Sequence, residues 1–352
     1  MPLLARLVPC PLAIDVRRGA VAGLADLLAD QRISAHGDVA LVVGPGQGER
    51  IVALVRPALG NAEVHSVNGG TVQSARRLAD GLRDGSYDAV VGIGGGRTID
   101  VAKYAASLSG LPIVAVPTSL AHDGLASPVA SLEHRGRKGS YGVQMPIGVV
   151  VDLEEVRRCP PQHLRSGIGD ALSNLNAVAD WELAGRERGE RVDGLAAALA
   201  RSAGEAVLHH TGDPGSDRFL TTLAEALVLG GVAMAAAGSS RPCSGACHEV
   251  AHAIDALHGG GVATHGEEVA VGALFACWLR DDAVVEALDG CLRRHGLPRV
   301  PGDLGLTEEQ FADVVLHAPS TRPERYTILE HLDMDLPEIR HRVHDFIVAF
   351  DR

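Results

Sequence analysis

The chain has 352 residues, with 44 acidic and 32 basic side chains and a formal charge of −12. Proteins that grip nucleic acid or anionic lipid through phosphate groups are rich in Lys and Arg, so this charge argues against both partners. Hydrophobic residues make up 46% of the sequence and charged residues 22%, which is typical of a soluble globular protein and excludes extended disorder. At about 150 residues per domain, the length predicts two domains.

The six cysteines are scattered along the chain and form no CxxC pair. That distribution is typical of reduced, buried thiols rather than of a disulfide framework. The apolar N-terminal run is interrupted by Arg6 and by prolines, and no uninterrupted apolar stretch approaches the roughly 20 residues that span a bilayer. We therefore expect a cytoplasmic protein that binds a small-molecule substrate, with no nucleic acid partner and no membrane span.

Residues 1–155 alternate short β-branched runs with helical patterns, which predicts a parallel sheet wrapped by helices in a Rossmann-like α/β domain. The predicted strands are Val39–Val43, Ala89–Ile93, Ile113–Val116 and Val149–Asp152. The first three are followed by loops rich in Gly, Pro, Ser or Thr. Because ligands of open parallel sheets lie beyond the carboxyl ends of the strands, these loops are expected to border a ligand-binding cleft.

From residue 156 to residue 352, apolar residues recur at helical spacing, which predicts an all-helical second domain. Alanine-rich helical stretches cover Asp170–Leu183, Asp193–Ala203 and Thr221–Ala237. The pair Pro160-Pro161 favours a break between elements, because a proline stops one helix and can start another. We place the domain border at this change of pattern, after residue 155.

A run of three glycines follows the second predicted strand and precedes the helical stretch Val101–Leu108. The run and its continuation read Gly94, Gly95, Gly96, Arg97, Thr98, Ile99 and Asp100. Consecutive glycines let backbone amides approach a phosphate closely, and a helix N-terminus adds partial positive charge. The segment therefore predicts a site for a dinucleotide pyrophosphate, with a plain strand-to-helix turn as the alternative. It matches neither the Walker A nor the GxGxxG pattern.

The segment His248-Glu249-Val250-Ala251-His252 is an HExxH string. On a helix its two histidines share one face, as they do in zinc metalloproteases, where the glutamate acts as the base. The longer protease motif needs a glycine turn before a third histidine, but this chain has Asp255 there, within a helical run that leads to His258. An HExxH metalloprotease is therefore kept only as an alternative.

A second way to complete a metal site uses residues further along the chain. Asp170 is expected to begin a helix after Gly167 and Gly169, and His265 to open another after the glycine-rich junction at 258–261. One carboxylate and two imidazoles, counting His248, leave a coordination position open, as a catalytic metal requires.

Residues 117–128 read PTSLAHDGLASP, which closely resembles the PTSLSHDGxASP signature of glycerol-1-phosphate dehydrogenases, members of the iron-containing alcohol dehydrogenase and dehydroquinate synthase superfamily. The resemblance continues through GGGRTIDVAKYAA at 94–106, GIGDALSN at 167–174, SGACHEVAHAID at 244–255, HGEEVAVG at 265–272 and RPERYTILEHL at 322–332. The last string is not shared by the wider superfamily. The resemblance implies a dehydroquinate synthase-like fold: an NAD(P)-binding α/β domain, a helical metal-binding and catalytic domain, a metal in the cleft between them, and a homo-oligomer.

The resemblance also implies roles for individual residues. Asp170, His248 and His265 would be the metal ligands. His252 and Asp123 would be the catalytic residues, and together with Asp170 they would contact the substrate. The residues implied to bind the cofactor are Gly94, Gly95, Gly96, Arg97, Thr98, Ile99 and Asp100 at the pyrophosphate, and Thr118, Ser119, Leu120, Ala121 and Ser127 at the nicotinamide.

The implied reaction is the NAD- or NADP-linked reduction of dihydroxyacetone phosphate to sn-glycerol 1-phosphate. One divalent metal, Zn²⁺ with Fe²⁺ and Ni²⁺ as alternatives, would polarise the ketone as a Lewis acid. His252 is expected to relay a proton, on the reasoning that an imidazole titrates near neutral pH.

Three positions depart from the family pattern. Ala121 stands where Ser is usual, Val129 where many members have a basic residue that could meet the substrate phosphate, and Cys247 where Glu commonly precedes the metal histidine. Arg135, Arg137 and Lys138 could supply the missing charge, although an exposed basic run is more often solvated surface. These departures leave two alternatives: a dehydrogenase of the same fold acting on another polyol or keto-sugar in specialised metabolism, and a dehydroquinate synthase-like cyclase.

Overall fold

The computed structural model describes residues 8–351, which form two compact units. The first unit runs to Pro160 and also contains Gly215–Ala236, and the second contains Pro161–Pro214 and the residues from Ala237 onward. The sequence places the border after residue 155 and assigns all later residues to the helical domain, whereas the structure groups residues 215–236 with the sheet. Arg6, which interrupts the apolar N-terminal run in the sequence, lies outside the described residues.

Eight strands lie in the described part of the first unit. They are β1 Ala13–Arg17, β2 Val39–Val43, β3 Glu63–Ser66, β4 Ala89–Gly94, β5 Ile113–Pro117, β6 Val129–His134, β7 Arg137–Gly142 and β8 Gly148–Asp152. Six of them form a parallel sheet in the order β1-β8-β5-β4-β2-β3, and β6 and β7 form a separate antiparallel hairpin. The Rossmann-like expectation is confirmed for this unit.

The four predicted strands are present, each within one residue of its expected ends. All four are fully buried β-branched runs, and these give the strongest sequence signal for a parallel sheet. The pattern does not reveal β1 and β3, which lie at the two edges of the sheet and carry exposed polar residues. Nor does the pattern reveal the hairpin of β6 and β7, because its residues other than the buried Ala130 and Leu132 are exposed or half-buried.

Fourteen α-helices complete the described chain. They are α1 Leu24–Asp30, α2 Gln47–Val55, α3 Val72–Asp84, α4 Gly96–Ser109, α5 Leu153–Val156, α6 Pro161–Arg188, α7 Gly194–Leu208, α8 Asp217–Ala237, α9 Ala246–His258, α10 His265–Leu279, α11 Val285–His295, α12 Glu308–Thr321, α13 Ile328–Leu332 and α14 Leu336–Phe350. Helices α1–α5 and nearly all of α8 belong to the first unit, and the others to the second. The expectation of an all-helical second part is confirmed.

Helix α8 is long and apolar enough to cross a membrane by length and composition, with a window of mean hydropathy 1.8, although Glu225 interrupts its apolar run. However, 67% of that window is buried inside the protein, as is usual for a core helix. A Cβ added at Gly231 of this helix would lie 2.7 Å from the carbonyl carbon of Ala126, so α8 packs directly on the backbone of the first unit. This contact is the physical reason why the segment groups with the sheet.

The direction in which the chain adds successive strands to the sheet reverses between β2 and β4. From β2 the chain continues to β3 on one side, and from β4 it continues to β5 on the other. Loops that leave the two neighbouring strands at such a switch point diverge and open a crevice, which is where α/β sheets bind ligands. The glycine-rich ends of β2 and β4 therefore flank the expected crevice. They are close together, since a Cβ on Gly44 would lie 2.2 Å from Thr98 Oγ1.

Candidate functional site

Three potential metal ligands meet in the second unit. One side-chain atom each from Asp170, His248 and His265 lie within 4.8 Å of one another. Asp170 Oδ1 is 3.7 Å from His248 Nε2 and 4.0 Å from His265 Nε2. The carboxylate is buried, with 4% of Asp170 exposed. The structure thus brings together the three residues that the sequence singles out from separate segments.

Close approach of α6 and α10 places Asp170 next to His265. A Cβ on Gly169 would lie 2.0 Å from Gly266 O, and one on Gly266 would lie 1.8 Å from Ser166 O. These glycines bring the helix backbones into direct contact. The expectation that Asp170 begins a helix is wrong, because it lies well inside α6. The flanking glycines, which suggested a loop, instead make room for α10.

The N-terminus of α9, which carries His248, is held by side chains of α6. Asp180 Oδ2 accepts a hydrogen bond of 2.8 Å from the Ala246 amide, and Asn176 Oδ1 accepts one of 3.1 Å from the Cys247 amide. Asp180 is fully buried and also pairs with Arg280. Because these bonds satisfy amides that a helix start leaves without partners, they fix where α9 begins and so which way His248 points.

The start of α10 places His265. Thr264 is the N-cap, and Glu267 completes a capping box with it, its Oε2 accepting a 3.1 Å hydrogen bond from the Thr264 amide. Arg165 Nε of α6 donates to Glu267 Oε1 at 2.8 Å. The predicted junction is confirmed: α9 ends at His258 with Gly259 in a positive-φ conformation, and His265 opens α10.

His252 lies one turn after His248 on α9, close to the cluster. The ring centroid of His252 is 6.4 Å from that of His248 and 6.3 Å from that of His265. Burial lowers the pKa of His252 to about 2, helped by the neighbouring His265, His248 and Arg322. The reasoning that this imidazole titrates near neutral pH is therefore wrong, since His252 is neutral there.

Glu249, the glutamate of the HExxH string, is fully buried on α9. Its Oε2 lies 3.0 Å from the hydroxyl of Thr327. Burial, together with the charges of Glu330 and Asp180, raises the pKa of Glu249 to about 9, so the carboxyl group is protonated at neutral pH. A protonated, buried carboxyl cannot serve as the base of a metalloprotease. Among the described residues, the group of potential ligands contains Asp170 rather than His252.

In the first unit, the three glycines form the turn between β4 and α4. Gly94 ends β4 with a φ of 157°, Gly95 is the N-cap of α4, and Gly96 is its first residue. Gly95 has no side chain with which to cap the helix, so no N-cap side chain satisfies the first amides of α4. Thr98, Ile99 and Asp100 are buried in the first turn of α4, and Arg97 is exposed.

The neighbouring loop after β5 carries the other expected cofactor residues. The Thr118 amide donates to Gly94 O at 2.9 Å, and Cys159 Sγ donates to Thr118 O at 2.8 Å, so this loop is tied to the glycine turn. Thr118, Ser119 and Leu120 are buried, and Ala121 is half-buried. Ser127 Oγ donates to Val129 O at 3.2 Å. Asp123 starts a short 3₁₀ turn, Asp123–Leu125, and is half-buried.

One comparison with known proteins uses a family model described as "Iron-containing alcohol dehydrogenase", which matches residues 15–160. A glycerol-1-phosphate dehydrogenase [NAD(P)+] of Methanosarcina barkeri is 34% identical over 331 residues, which cover 92% of each chain. The enzyme of the same name from Archaeoglobus fulgidus is 38% identical over 272 residues, covering 75% of this chain and 77% of the relative.

The chain belongs to the glycerol-1-phosphate dehydrogenase family. Its fold matches a probable glycerol dehydrogenase from Sinorhizobium meliloti with a TM-score of 0.75 and 22% identity, covering 99% of each chain. It also matches the glycerol dehydrogenase of Schizosaccharomyces pombe with a TM-score of 0.73 and 21% identity, covering 98% of this chain and 93% of that one. At such identities the likeness concerns the fold alone.

The sequence analysis gives no role to three residues that lie beside the proposed cofactor and metal sites. His122 packs on the glycine turn, because a Cβ on Gly96 would lie 2.1 Å from its Nε2. Lys103 is fully buried under the loop at 124–129. Arg322 lies next to His252. All three belong to strings that carry the family resemblance, but the strings alone do not show which residues touch.

The alternative cations that could replace a basic residue at position 129 lie on the hairpin. Arg135 is in its turn with a φ of 52°, and Arg135, Arg137 and Lys138 are all exposed. Lys138 stands opposite Glu133 in the register of β6 and β7. This placement is that of a solvated surface.

Proposed function

We propose that the chain is a metal-dependent NAD(P)-linked dehydrogenase that interconverts dihydroxyacetone phosphate and sn-glycerol 1-phosphate. The observation that carries the proposal is the convergence of Asp170, His248 and His265 within 4.8 Å. The names of relatives that span 92% of the chain support the same reaction.

The donor set fits a divalent transition metal. A carboxylate and two neutral imidazoles suit Zn²⁺, Fe²⁺ or Ni²⁺, and three protein ligands leave room for a substrate oxygen. We propose Zn²⁺ as the metal. When bound, the metal polarises the substrate carbonyl and the reduced nicotinamide supplies the hydride. The protein holds Asp170 in place from the middle of a long helix, so the carboxylate is fixed before any metal arrives.

The proposed role of His252 is to donate a hydrogen bond to the substrate as a neutral imidazole. Arg322 can only donate hydrogen bonds, so its NH2 group at 3.3 Å requires His252 Nε2 to accept. The neutral ring then carries its hydrogen on Nδ1, which is the atom that can donate. Asp123 is proposed to contact substrate.

The proposed cofactor site combines the glycine turn with the loop after β5. The amides at the start of α4, which no N-cap side chain occupies, suit a pyrophosphate. The position of this turn at the switch point between β2 and β4 disfavours the alternative of a plain turn. Thr118, Ser119, Leu120, Ala121 and Ser127 are proposed to lie beside the nicotinamide. The proposed cofactor is NAD or NADP. We also propose a homo-oligomer and a cytoplasmic location. The six free cysteine thiols agree with that location.

A second candidate is a dehydrogenase of the same fold that acts on an uncharged polyol or keto-sugar. Val129 favours it, because this side chain offers no charge where many family members have a basic residue. A dehydroquinate synthase-like cyclase differs from both, since it would return its cofactor unchanged.

A substrate panel tests these functions. The metal-loaded protein is assayed with NADH and NADPH against dihydroxyacetone phosphate and dihydroxyacetone, following net oxidation of the reduced cofactor. The proposal expects turnover of the phosphorylated ketone, and loss of that turnover in Asp170→Ala and His265→Ala. His341→Ala, at a side chain that is 76% exposed, is the matched control and should retain activity. Full activity of Asp170→Ala after chelation would refute the metal site.

A further inference from the structure

We propose that Arg322 binds the phosphate group of the substrate and thereby selects phosphorylated over neutral ketones. This inference rests on the proposed function, because it concerns a group of the same substrate. It assigns to the second unit the positive charge that position 129 of the first unit lacks.

The position of Arg322 carries the inference. Its NH2 group lies 3.3 Å from Nε2 of His252, and the ring of His252 is within 6.4 Å of both metal-site histidines by ring centroid. The Arg322 side chain therefore borders the place where a carbonyl held at the cluster would lie. Arg322 is half-buried, so part of it is reachable from solvent.

Two neighbouring arginines direct their groups elsewhere. Arg241 forms a two-pronged pair with Glu190, at 2.8 Å and 2.7 Å. Arg325 donates to Ser244 O and, at 2.6 Å, to Ser240 Oγ, so it holds the segment that leads into α9. Arg322 differs from both, because its NH2 group contacts the imidazole beside the cluster. Arg322 and Arg325 share the string RPERYT, but only the structure separates their roles.

The chemistry of the ligand matches this placement. A guanidinium group presents several N–H donors in a plane and suits a phosphate dianion better than a neutral hydroxyl. In a triose phosphate, only a methylene carbon and an ester oxygen separate the carbonyl carbon from the phosphorus. The carbonyl and the phosphate of the substrate must therefore be bound by side chains that lie close together. Arg322 supplies a cation beside the metal-site histidines.

Kinetics with two ketones test the inference. For Arg322→Gln, we expect the KM for dihydroxyacetone phosphate to rise by about 30-fold or more, as for loss of one partner of a desolvated charge pair. The kcat/KM for dihydroxyacetone should fall by a smaller factor, because this ketone has no phosphate and loses only the contact between Arg322 and His252, and the KM for the reduced cofactor should change by less than about twofold. Arg322→Lys should recover part of the loss, because it keeps the charge but not the fork. Arg340→Gln, at an exposed position on α14, is the control.

Calorimetry with inorganic phosphate gives a readout that does not need turnover. The metal-loaded wild-type protein should bind phosphate more tightly than Arg322→Gln by a similar factor. Equal phosphate affinity in the two proteins, or equal losses on both ketones, would overturn the assignment of Arg322. If the wild type binds phosphate through Arg322 but reduces neither ketone, the proposed function fails while the anion site stands.

Discussion

Lys103 Nζ lies 3.2 Å from Asp100 Oδ1, and both side chains are buried on α4. The same ammonium group donates to the carbonyl oxygens of Gly124, Ser127 and Val129, at 2.6, 3.2 and 2.5 Å. One lysine therefore ties the helix that follows the glycine turn to the segment that contains Asp123 and Ser127. Asp100, which the resemblance assigns to the cofactor, has its carboxylate beside this lysine.

Replacing Lys103 tests this link. Lys103→Met leaves the buried Asp100 carboxylate without its cation and the three carbonyls without their donor, so we expect a loss of about 3–5 kcal/mol in the free energy of unfolding. The KM values for both cofactor and substrate should also rise. Urea unfolding and steady-state kinetics measure these effects. Lys138→Met, on the exposed hairpin, should change neither the free energy of unfolding nor the KM values. An equally small effect at both lysines would mean that Lys103 does not hold α4 and the 124–129 segment together.

The contact between α6 and α10 gives a second prediction. Gly169→Ala places a methyl group 2.0 Å from Gly266 O, a backbone atom that cannot move without shifting α10. We expect a destabilisation of about 1–3 kcal/mol or more and a weaker metal site, because Asp170 moves away from His265.

Gly290→Ala is the matched control for this change. Gly290 lies inside α11 with nothing within 4 Å of an added Cβ, so alanine should stabilise that helix by up to about 1 kcal/mol. Thermal unfolding and Zn²⁺ titration of the two variants make the comparison. Unchanged metal affinity in Gly169→Ala would show that the close approach of the helices is not what assembles the ligands.

The buried Glu249 predicts a particular pH dependence of stability. Its pKa is raised to about 9 in the folded protein, so between the unfolded value near 4.5 and pH 9 the folded state holds a proton that the unfolded state has lost. The contribution of the Glu249 carboxyl to the free energy of unfolding is fully present below about pH 4.5. It is lost as the pH rises toward 9, by up to about 1.4 kcal/mol per pH unit.

Glu249→Gln, which keeps the shape and cannot ionise, should remove this contribution. The variant should gain stability relative to the wild type as pH rises from 5.5 to 8, as measured by urea unfolding at both values. Glu309→Gln, at an exposed position on α12, serves as the control. A difference between Glu249→Gln and wild type that does not vary with pH would contradict a protonated Glu249.

The sequence predicts the central strands of the sheet from their composition. It predicts the proposed metal ligands from their residue types and from the family resemblance. Strands such as β2 and β4 are continuous apolar β-branched runs, and their type follows from composition alone. The position of Asp170 within α6 could not be predicted, because Gly167 and Gly169 favour a loop by local propensity while tertiary packing against Gly266 makes them helical.

Contacts between distant positions escape local patterns altogether. His252 and Arg322 are 70 residues apart in sequence, and nothing in the spacing of either string indicates that they meet. The pKa of His252 was missed for the same reason, since its environment comes from α10 and from the residues after α12. Edge strand β3 was missed because its polar residues face solvent.

Calorimetric titration of the chelated protein with Zn²⁺ tests the central claim most directly, when wild type is compared with Asp170→Ala and with the control His341→Ala. The account predicts one tight site per chain in wild type and in the control, and loss of that site in Asp170→Ala together with loss of ketone reduction. Binding of Zn²⁺ to Asp170→Ala with the affinity and stoichiometry of wild type would contradict it.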